Sequence, residues 1–474
     1  MTPSRFTPPL LALCLWPLSA CPGTEEIFVE PSRPFPPDTL PSFDTAGDVD
    51  TFSPTDASPT DSLIFEGPRR LLPGRPGLIG VRKDRKSGPV TLGAVEALLH
   101  HGRGVLRIEP DARATDAGPD RRSVIPFDPS DPRDLRITED LHVKAGDTLV
   151  WPAGARVMIA PDVDIVIEGR LDALGTPDDP ILVTSATSEP WKTLEIRGEA
   201  NLSHVWLTAG GAGTPTYEGH SDSNPVLAIL GGRLLMTGGA IADNPGKSIL
   251  GKDADITLSD VLIARCDTGG EFIDSTVKIN DTHIIQIPDA DRLYDDDDND
   301  GLYLRTSQVE IKNTVISLTE DDGLDHNGSD LAISGSIIED VRHEGLACSD
   351  SGTVSLEDSL IRNAAHAVEA GYGGPNVTVS RSVLMNCPVG VRWGDEYEWE
   401  SRGTLTVTHN IFFGVQTPIL SVDPQQGEAP EGAISGTCNE EGYTASSPDQ
   451  EGCFSSILEI ETCGEIGRRC GSSE

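Results

Sequence analysis

Asp300, Asp322 and Glu344 stand at a constant interval of 22 residues, and each is followed by Gly-Leu. The same interval leads on to His366, and one of 23 residues leads from there to Val389. A second set runs in step with the first: Tyr303, Asp325, Ala347, Glu369 and Arg392. Asp321 and His343 sit one residue before the first set. If the chain returns above itself every 22 residues, these side chains stack about 4.8 Å apart. Carboxylates that close cannot all ionise, so either a cation lies between them or one of them keeps its proton. A held proton beside an ionised partner is the equipment of general acid–base catalysis. Several oxygens gathered loosely also suit Ca²⁺. The candidate catalytic residues are Asp321, Asp322, Glu344 and His343, with His366, Glu369 and Arg392 beside them to bind a substrate.

Two insertions adjoin these columns. "IPDADRLYDDDDND" enters just before the first Asp-Gly-Leu, and its run from Asp295 to Asp300 carries five carboxylates. Asp296, Asp298 and Asp300 before Gly301 have the spacing that opens a calcium loop, but position twelve is Ser307 where an EF-hand has glutamate. The expected Ca²⁺ ligands are Asp296, Asp298, Asp300, Asp322 and Asp325. "GDEYEWESRG" follows Arg392, and its Tyr397 and Trp399 are candidates for a platform under a sugar ring.

What could position such columns is a repeating coil. Seven alternating segments, such as "ADITLSDVLI", "SQVEIKNTVI" and "GTVSLEDSLI", start their apolar pattern at Ile256, Val277, Val309, Leu331, Val354, Val377 and Leu405. The steps are 21, 32, 22, 23, 23 and 28, a base period near 22 with two insertions. Alternation marks strands, and one coil cannot bury its own apolar face, so coils must stack. The predicted fold is all-β, a right-handed parallel β-helix of about a dozen coils over residues 135–425. Parity turns Leu302, Leu324, Leu346, Val368 and Val391 inward, and Leu304, His326, Cys348, Ala370 and Trp393 with them. His326 therefore reads as a core-side histidine with a hydrogen-bond partner.

The rest of the chain reads as follows. Arg5, the short apolar run Leu10–Leu18 and "LSAC" resemble a bacterial lipoprotein signal over residues 1–20, with Cys21 as the lipid-bearing residue. Residues 21–62 are a Pro/Ser/Thr/Asp tether too polar to fold. Residues 63–134 are a mixed region and helix cap, with a short helix near Val95–His101. Residues 426–474 are a tail in which Cys438, Cys453, Cys463 and Cys470 allow two disulfides of open pairing. Cys266, Cys348 and Cys387 read as buried thiols. The expected location is extracytoplasmic, on the bacterial cell envelope through the lipid at Cys21. Asp and Glu outnumber Lys and Arg by 76 to 36, a formal charge of −40, which excludes nucleic acid as a partner. A monomer is expected.

The stretch "DTLVWPAGARVMIAPDVDIVIEGRLDALGTPDDPILVTSA", Asp147 to Ala186, resembles the opening coils of pectin-lyase-like β-helix proteins. That resemblance implies the same fold and a polysaccharide partner. Polygalacturonase-type glycosidases of this superfamily carry an Asp-Asp pair, a Gly-His-Gly and an Arg-x-Lys. Asp321 and Asp322 match the pair; Glu344 stands where the histidine would, with His343 one residue early; Arg392 is followed by Trp393 and Gly394. A lyase would instead need Ca²⁺ and a basic proton acceptor, for which Arg305, Arg342 and Arg392 are the candidates. The expected function is binding or processing of polysaccharide through the acidic face of residues 300–396. Its alternative is a non-catalytic, calcium-stabilised surface binding or structural module.

Overall fold

The computed structural model describes residues 63–66, 105–108 and 130–443, except 162, 188, 288–298, 396–399, 424–426 and 438. Cys21, Val95–His101, Asp296, Asp298, Tyr397, Trp399 and the four tail cysteines, Cys438, Cys453, Cys463 and Cys470, lie outside the described residues. Every regular element among the described residues is a β-strand. In the region expected to cap the coils, Leu63–Glu66 pairs antiparallel with Val105–Ile108.

From Asp134 the chain winds into three parallel sheets, and in two coils one long strand, Glu199–Leu207 or Arg233–Ala242, runs through two of them. The site sheet runs from Leu141–Val143 to Thr417–Asp423 and has thirteen strands, the last, Gly427–Glu428, being antiparallel. A second sheet runs from Asp134–Ile137 to Glu440–Tyr443. A third runs from Thr148–Trp151 to Ile434–Thr437. Both extend beyond residue 425, so the expected boundary there falls short of the last coil.

The register is the one the spacing demands. Glu271, Tyr303, Asp325, Ala347, Glu369 and Arg392 pair in succession on the site sheet, and Glu344, His366 and Val389 pair beside them. Leu302, Leu324, Leu346, Val368 and Val391 fill the core at 0% exposure, and Leu304, His326, Cys348, Ala370 and Trp393 are buried with them. Cys266, Cys348 and Cys387 are buried free thiols.

Corners explain part of the acid-rich composition. Asp260, Asp281, Asn313, Gly335 and Asp358 occupy one corner, coil after coil, with φ between 48° and 60°. Asp, Asn and Gly are the residues that tolerate this left-handed region best. The residues that follow form a polar ladder inside the turn. The amide of Thr314 donates to Ser336 Oγ (3.2 Å), Ser336 to Ser359 Oγ (3.1 Å), Ser359 to Ser382 Oγ (3.1 Å) and Ser382 to Asn410 Oδ1 (2.9 Å). A second ladder links Ser275, Ser307 and Ser329 and ends where the Ser329 amide donates to His326 Nε2 (3.1 Å). His326 is thus a core-side histidine with a partner, and burial holds its pKa below the usual range.

The Gly of each acid-Gly-Leu triplet has its own task. A Cβ on Gly301 would lie 2.3 Å from the carbonyl oxygen of Gly323, and one on Gly323 would lie 2.6 Å from that of Gly345. The coils touch backbone to backbone directly beside the acidic column. Gly323→Val should push them apart and lower stability by about 1–3 kcal/mol or more, the usual cost of overpacking. The urea midpoint checks this, and an unchanged midpoint would show that the coils are not in contact there.

Candidate acid–base site

The acidic column lies at the entry to the site sheet: Glu344 opens the strand Glu344–Asp350, and Asp300 and Asp322 each stand three residues before a strand, Tyr303–Arg305 and Asp325–Asn327. Its carboxylates are tied to one another through the backbone. Asp300 Oδ1 accepts the Asp322 amide (3.3 Å), and Asp322 Oδ1 accepts the Glu344 amide (2.8 Å). The side chains face outward by parity yet are buried: Asp300 is 1% exposed, Asp322 7% and Glu344 2%.

Three groups result, each of two carboxylates and one imidazole whose ligating atoms lie within 4.8 Å of one another. In the first, His220 Nε2 lies 3.5 Å from Asp300 Oδ2 and 3.7 Å from Asp325 Oδ2. In the second, His343 Nδ1 lies 3.6 Å from Asp321 Oδ1 and 3.4 Å from Asp322 Oδ1. The same nitrogen is 2.5 Å from Glu344 Oε2, which joins the second group to the third. In the third, His366 Nδ1 meets Glu344 Oε1 at 2.8 Å and lies 3.8 Å from Glu369 Oε2. Arg392 Nη1 then pairs with Glu369 Oε2 at 3.1 Å.

Burial sets the protonation. It raises Asp322 well above the usual carboxylate range, and the neighbouring Glu344 charge adds to that. Burial also opposes ionisation of Glu344, but hydrogen bonds from His343 and His366 outweigh it and hold that carboxyl below its ordinary range. Burial disfavours the charged form of His343 too; hydrogen bonds to Asp322 and Glu344 overcome this and raise its pKa strongly. Asp322 and His343 cannot both be shifted by a full charge on the other. The closest contact, His343 to Glu344, favours that ion pair, and burial favours the protonated form of Asp322.

Of the residues expected to act chemically, the structure brings Asp321, Asp322, His343 and Glu344 together. His366, Glu369 and Arg392, expected to bind substrate, form a linked row behind Glu344 with side chains 13%, 8% and 7% exposed. The expected calcium set is divided: Asp300 and Asp325 face each other across His220, while Asp322 belongs with Asp321 and His343.

Sequence reasoning missed the first imidazole altogether. His220 belongs to the segment 208–224, between strands Glu199–Leu207 and Pro225–Leu230, and occupies no repeat position. Its ring stacks on Tyr303 with centroids 3.9 Å apart and planes 9° apart. The segment is held by Glu271, whose carboxylate accepts the amides of His220 (3.0 Å) and Ser221 (2.9 Å). Lys247 Nζ, fully buried, pairs with Glu271 Oε1 and donates to the Ser221 carbonyl, both at 2.7 Å. Glu271 stands in the column of Tyr303 and Asp325, but the insertion of residues 288–298 lengthens its step to 32 and hides it.

A family described as "Right handed beta helix region" matches residues 220–384 and 274–423. No curated protein matches in sequence. Among solved structures, an alginate lyase from Paenibacillus sp. str. FPU-7 is 15% identical, over 60% of this chain and 98% of that one, with a TM-score of 0.37. The catalytic unit of a thermostable GH87 α-1,3-glucanase from Streptomyces thermodiastaticus strain HF3-3 is 15% identical, over 66% of this chain and 63% of that one, with a TM-score of 0.45. Pectate lyase Pel9A is 11% identical, over 66% of this chain and 80% of that one, with a TM-score of 0.23. These likenesses concern the chain path and say nothing of a substrate. The stacked coils and the family match together give the chain a right-handed parallel β-helix fold.

Proposed function

We propose that the protein hydrolyses a polysaccharide, with Asp322 as proton donor and Glu344 as ionised partner. The observation that carries this reading is geometric: Asp322 and Glu344, both buried, lie 3.4 Å and 2.5 Å from the same imidazole nitrogen, His343 Nδ1, in surroundings that push their pKa values in opposite directions. Pairs of titratable groups pushed apart by their surroundings mark the acid and the base. Asp322 protonates the glycosidic oxygen, and Glu344 takes a proton from the attacking water. His343, about a quarter exposed, forms the rim of the site and carries the charge that keeps Glu344 ionised. His366, Glu369 and Arg392 hold Glu344 in place from behind. The same reading includes a lipid at Cys21 and an extracytoplasmic location, both resting on the N-terminal sequence. Release of reducing ends from a panel of polysaccharides, by the intact chain and by Glu344→Gln, tests it. Cleavage that the variant loses supports the reading, and cleavage that the variant keeps removes Glu344 from the chemistry.

One observation favours a second reading, the calcium-stabilised binding module: Asp300 and Asp325 approach each other across His220. Calcium takes about six to eight oxygens, so Asp296 and Asp298 would have to complete the set. Under this reading calcium raises the melting temperature of the intact chain, and Asp325→Asn cancels the rise.

A further inference from the structure

We infer that the segment 208–224 closes one end of the site, so that the protein removes sugar units from the end of a chain and does not cut within it. The inference deepens the hydrolase reading and rests on it for the position of the cleaved bond. Its basis is which part of the site sheet's outer face is covered.

One outward column of that sheet runs in register from Glu195 through Ala228, Leu250, Glu271 and Tyr303 to Asp325. Ala228, Leu250, Glu271 and Tyr303 point away from the core, yet each is at most 5% exposed. The segment 208–224 covers them. It leaves the coil after Leu207 and reaches forward along the sheet. Tyr217 Oη donates to Glu195 Oε2 (2.8 Å), Ser221 Oγ donates to Asp267 Oδ2 (3.0 Å), and the His220 ring stacks on Tyr303. Among the described residues the cover ends there. Asp325 and Ala347, the next two positions of the column, are both partly exposed.

The cover is fastened at its root and at its tip. Asn224, 5% exposed, donates from Nδ2 to the carbonyls of Ala212 (3.1 Å) and Thr214 (3.0 Å) and accepts the Thr216 amide at Oδ1 (2.9 Å). The tip rests on the buried Lys247–Glu271 pair so closely that a Cβ on Gly219 would run into the Glu271 carboxylate. The segment is therefore a wall and not a lid.

This wall stands close to the chemistry. His220 Nε2 lies 3.5 Å from Asp300 Oδ2. Asp300 is one coil behind Asp322 and two behind Glu344 in the same column. About 7 Å separates the wall from the midpoint of that pair, room for one sugar ring and not for a continuing chain. A chain lying along the coils ends at His220, and the bond over Asp322 and Glu344 is the one that holds its last unit. Each turnover breaks that glycosidic C–O bond, adds the hydroxyl of one water to the anomeric carbon and its proton, in net, to the leaving oxygen, and frees one monosaccharide.

The test incubates the intact chain with polygalacturonate, alginate, chitosan and laminarin, sizes the products by chromatography and follows viscosity. Monosaccharide should be the first and main product of whichever polymer is cut, with viscosity nearly unchanged while reducing ends appear. An early ladder of oligomers with a rapid fall in viscosity would overturn the inference. His220→Ala uncovers Tyr303, moves the wall back by about one coil and should shift the first product from one unit to two. An unchanged product would also count against the wall. Amide exchange of the intact chain reads the wall without a substrate. The amides of His220 and Ser221, bonded to Glu271, should exchange far more slowly than free peptide. Exchange at the free-peptide rate would mean that the segment opens, and would overturn the inference as well. Slow exchange with none of the polymers cut would keep the closed end and refute the hydrolase reading instead.

Discussion

Asp322→Asn should abolish cleavage while leaving the protein more stable than its parent at neutral and alkaline pH. The two effects have one cause. Asp322 is buried beside an ionised glutamate, so its folded pKa is raised. A group with a raised folded pKa contributes stability below its unfolded value and loses it as pH climbs through the folded one. Asparagine cannot ionise, so it escapes that penalty, and its side-chain oxygen can still accept the Glu344 amide. It cannot supply a proton, and turnover should fall by about 10²–10⁴-fold. Glu344→Gln should cost as much in activity but behave oppositely in stability. Glu344 is held below its ordinary range, so its contribution is present above the unfolded pKa and lost as pH falls through the folded one. For the parent, activity should follow a bell, falling in acid as Glu344 is protonated and in alkali as Asp322 loses its proton. Urea midpoints and initial rates, both measured across pH, check the set. A stability deficit in Asp322→Asn at high pH would mean that the carboxyl is ionised in the fold.

The largest stability effect should come from Lys247→Met. Lys247 and Glu271 form an ion pair with both side chains at 0% exposure. Removing one partner of such a pair leaves a buried charge uncompensated and costs about 3–5 kcal/mol. The loss should reach the site, because Glu271 also accepts the amides that place His220 over Asp300 and Asp325. Lys247→Met with Glu271→Gln should recover much of the stability, since the amide oxygen carries no charge and can still accept one of those N–H groups. Chemical denaturation of the single and double variants decides it. If the single variant loses less than about 1 kcal/mol, water reaches the pair and the segment is not locked.

The 22-residue spacing carried the fold because strand parity and coil register both follow from it. Asp322, Glu344 and His343 were legible for the same reason: once the coils stack, neighbours in the column are neighbours in space. Three things were hidden. His220 lies in a segment outside the repeat, and nothing in its local sequence points to the column 80 residues later. Glu271 was displaced from its column by an insertion in the next coil. The burial of Arg392 and Glu369 could not be read from parity, which gives the face of a strand but not what covers it. The Ser/Thr/Asn ladders were present in the quoted segments, at "NTVI" and "DSLI", as the small polar residue after the corner. Their meaning depends on amides of the preceding coil, which local sequence does not reveal.

The central claim is that Asp322 holds a proton beside an ionised Glu344. Carboxyl carbon shifts of ¹³C-labelled aspartate and glutamate, followed by NMR from acid to alkaline pH and assigned with Asp322→Asn and Glu344→Gln, test it most directly. The account predicts one aspartate that remains protonated at neutral pH and disappears in Asp322→Asn, and a Glu344 ionised throughout that range. An Asp322 signal titrating in the ordinary carboxylate range would contradict the acid–base assignment.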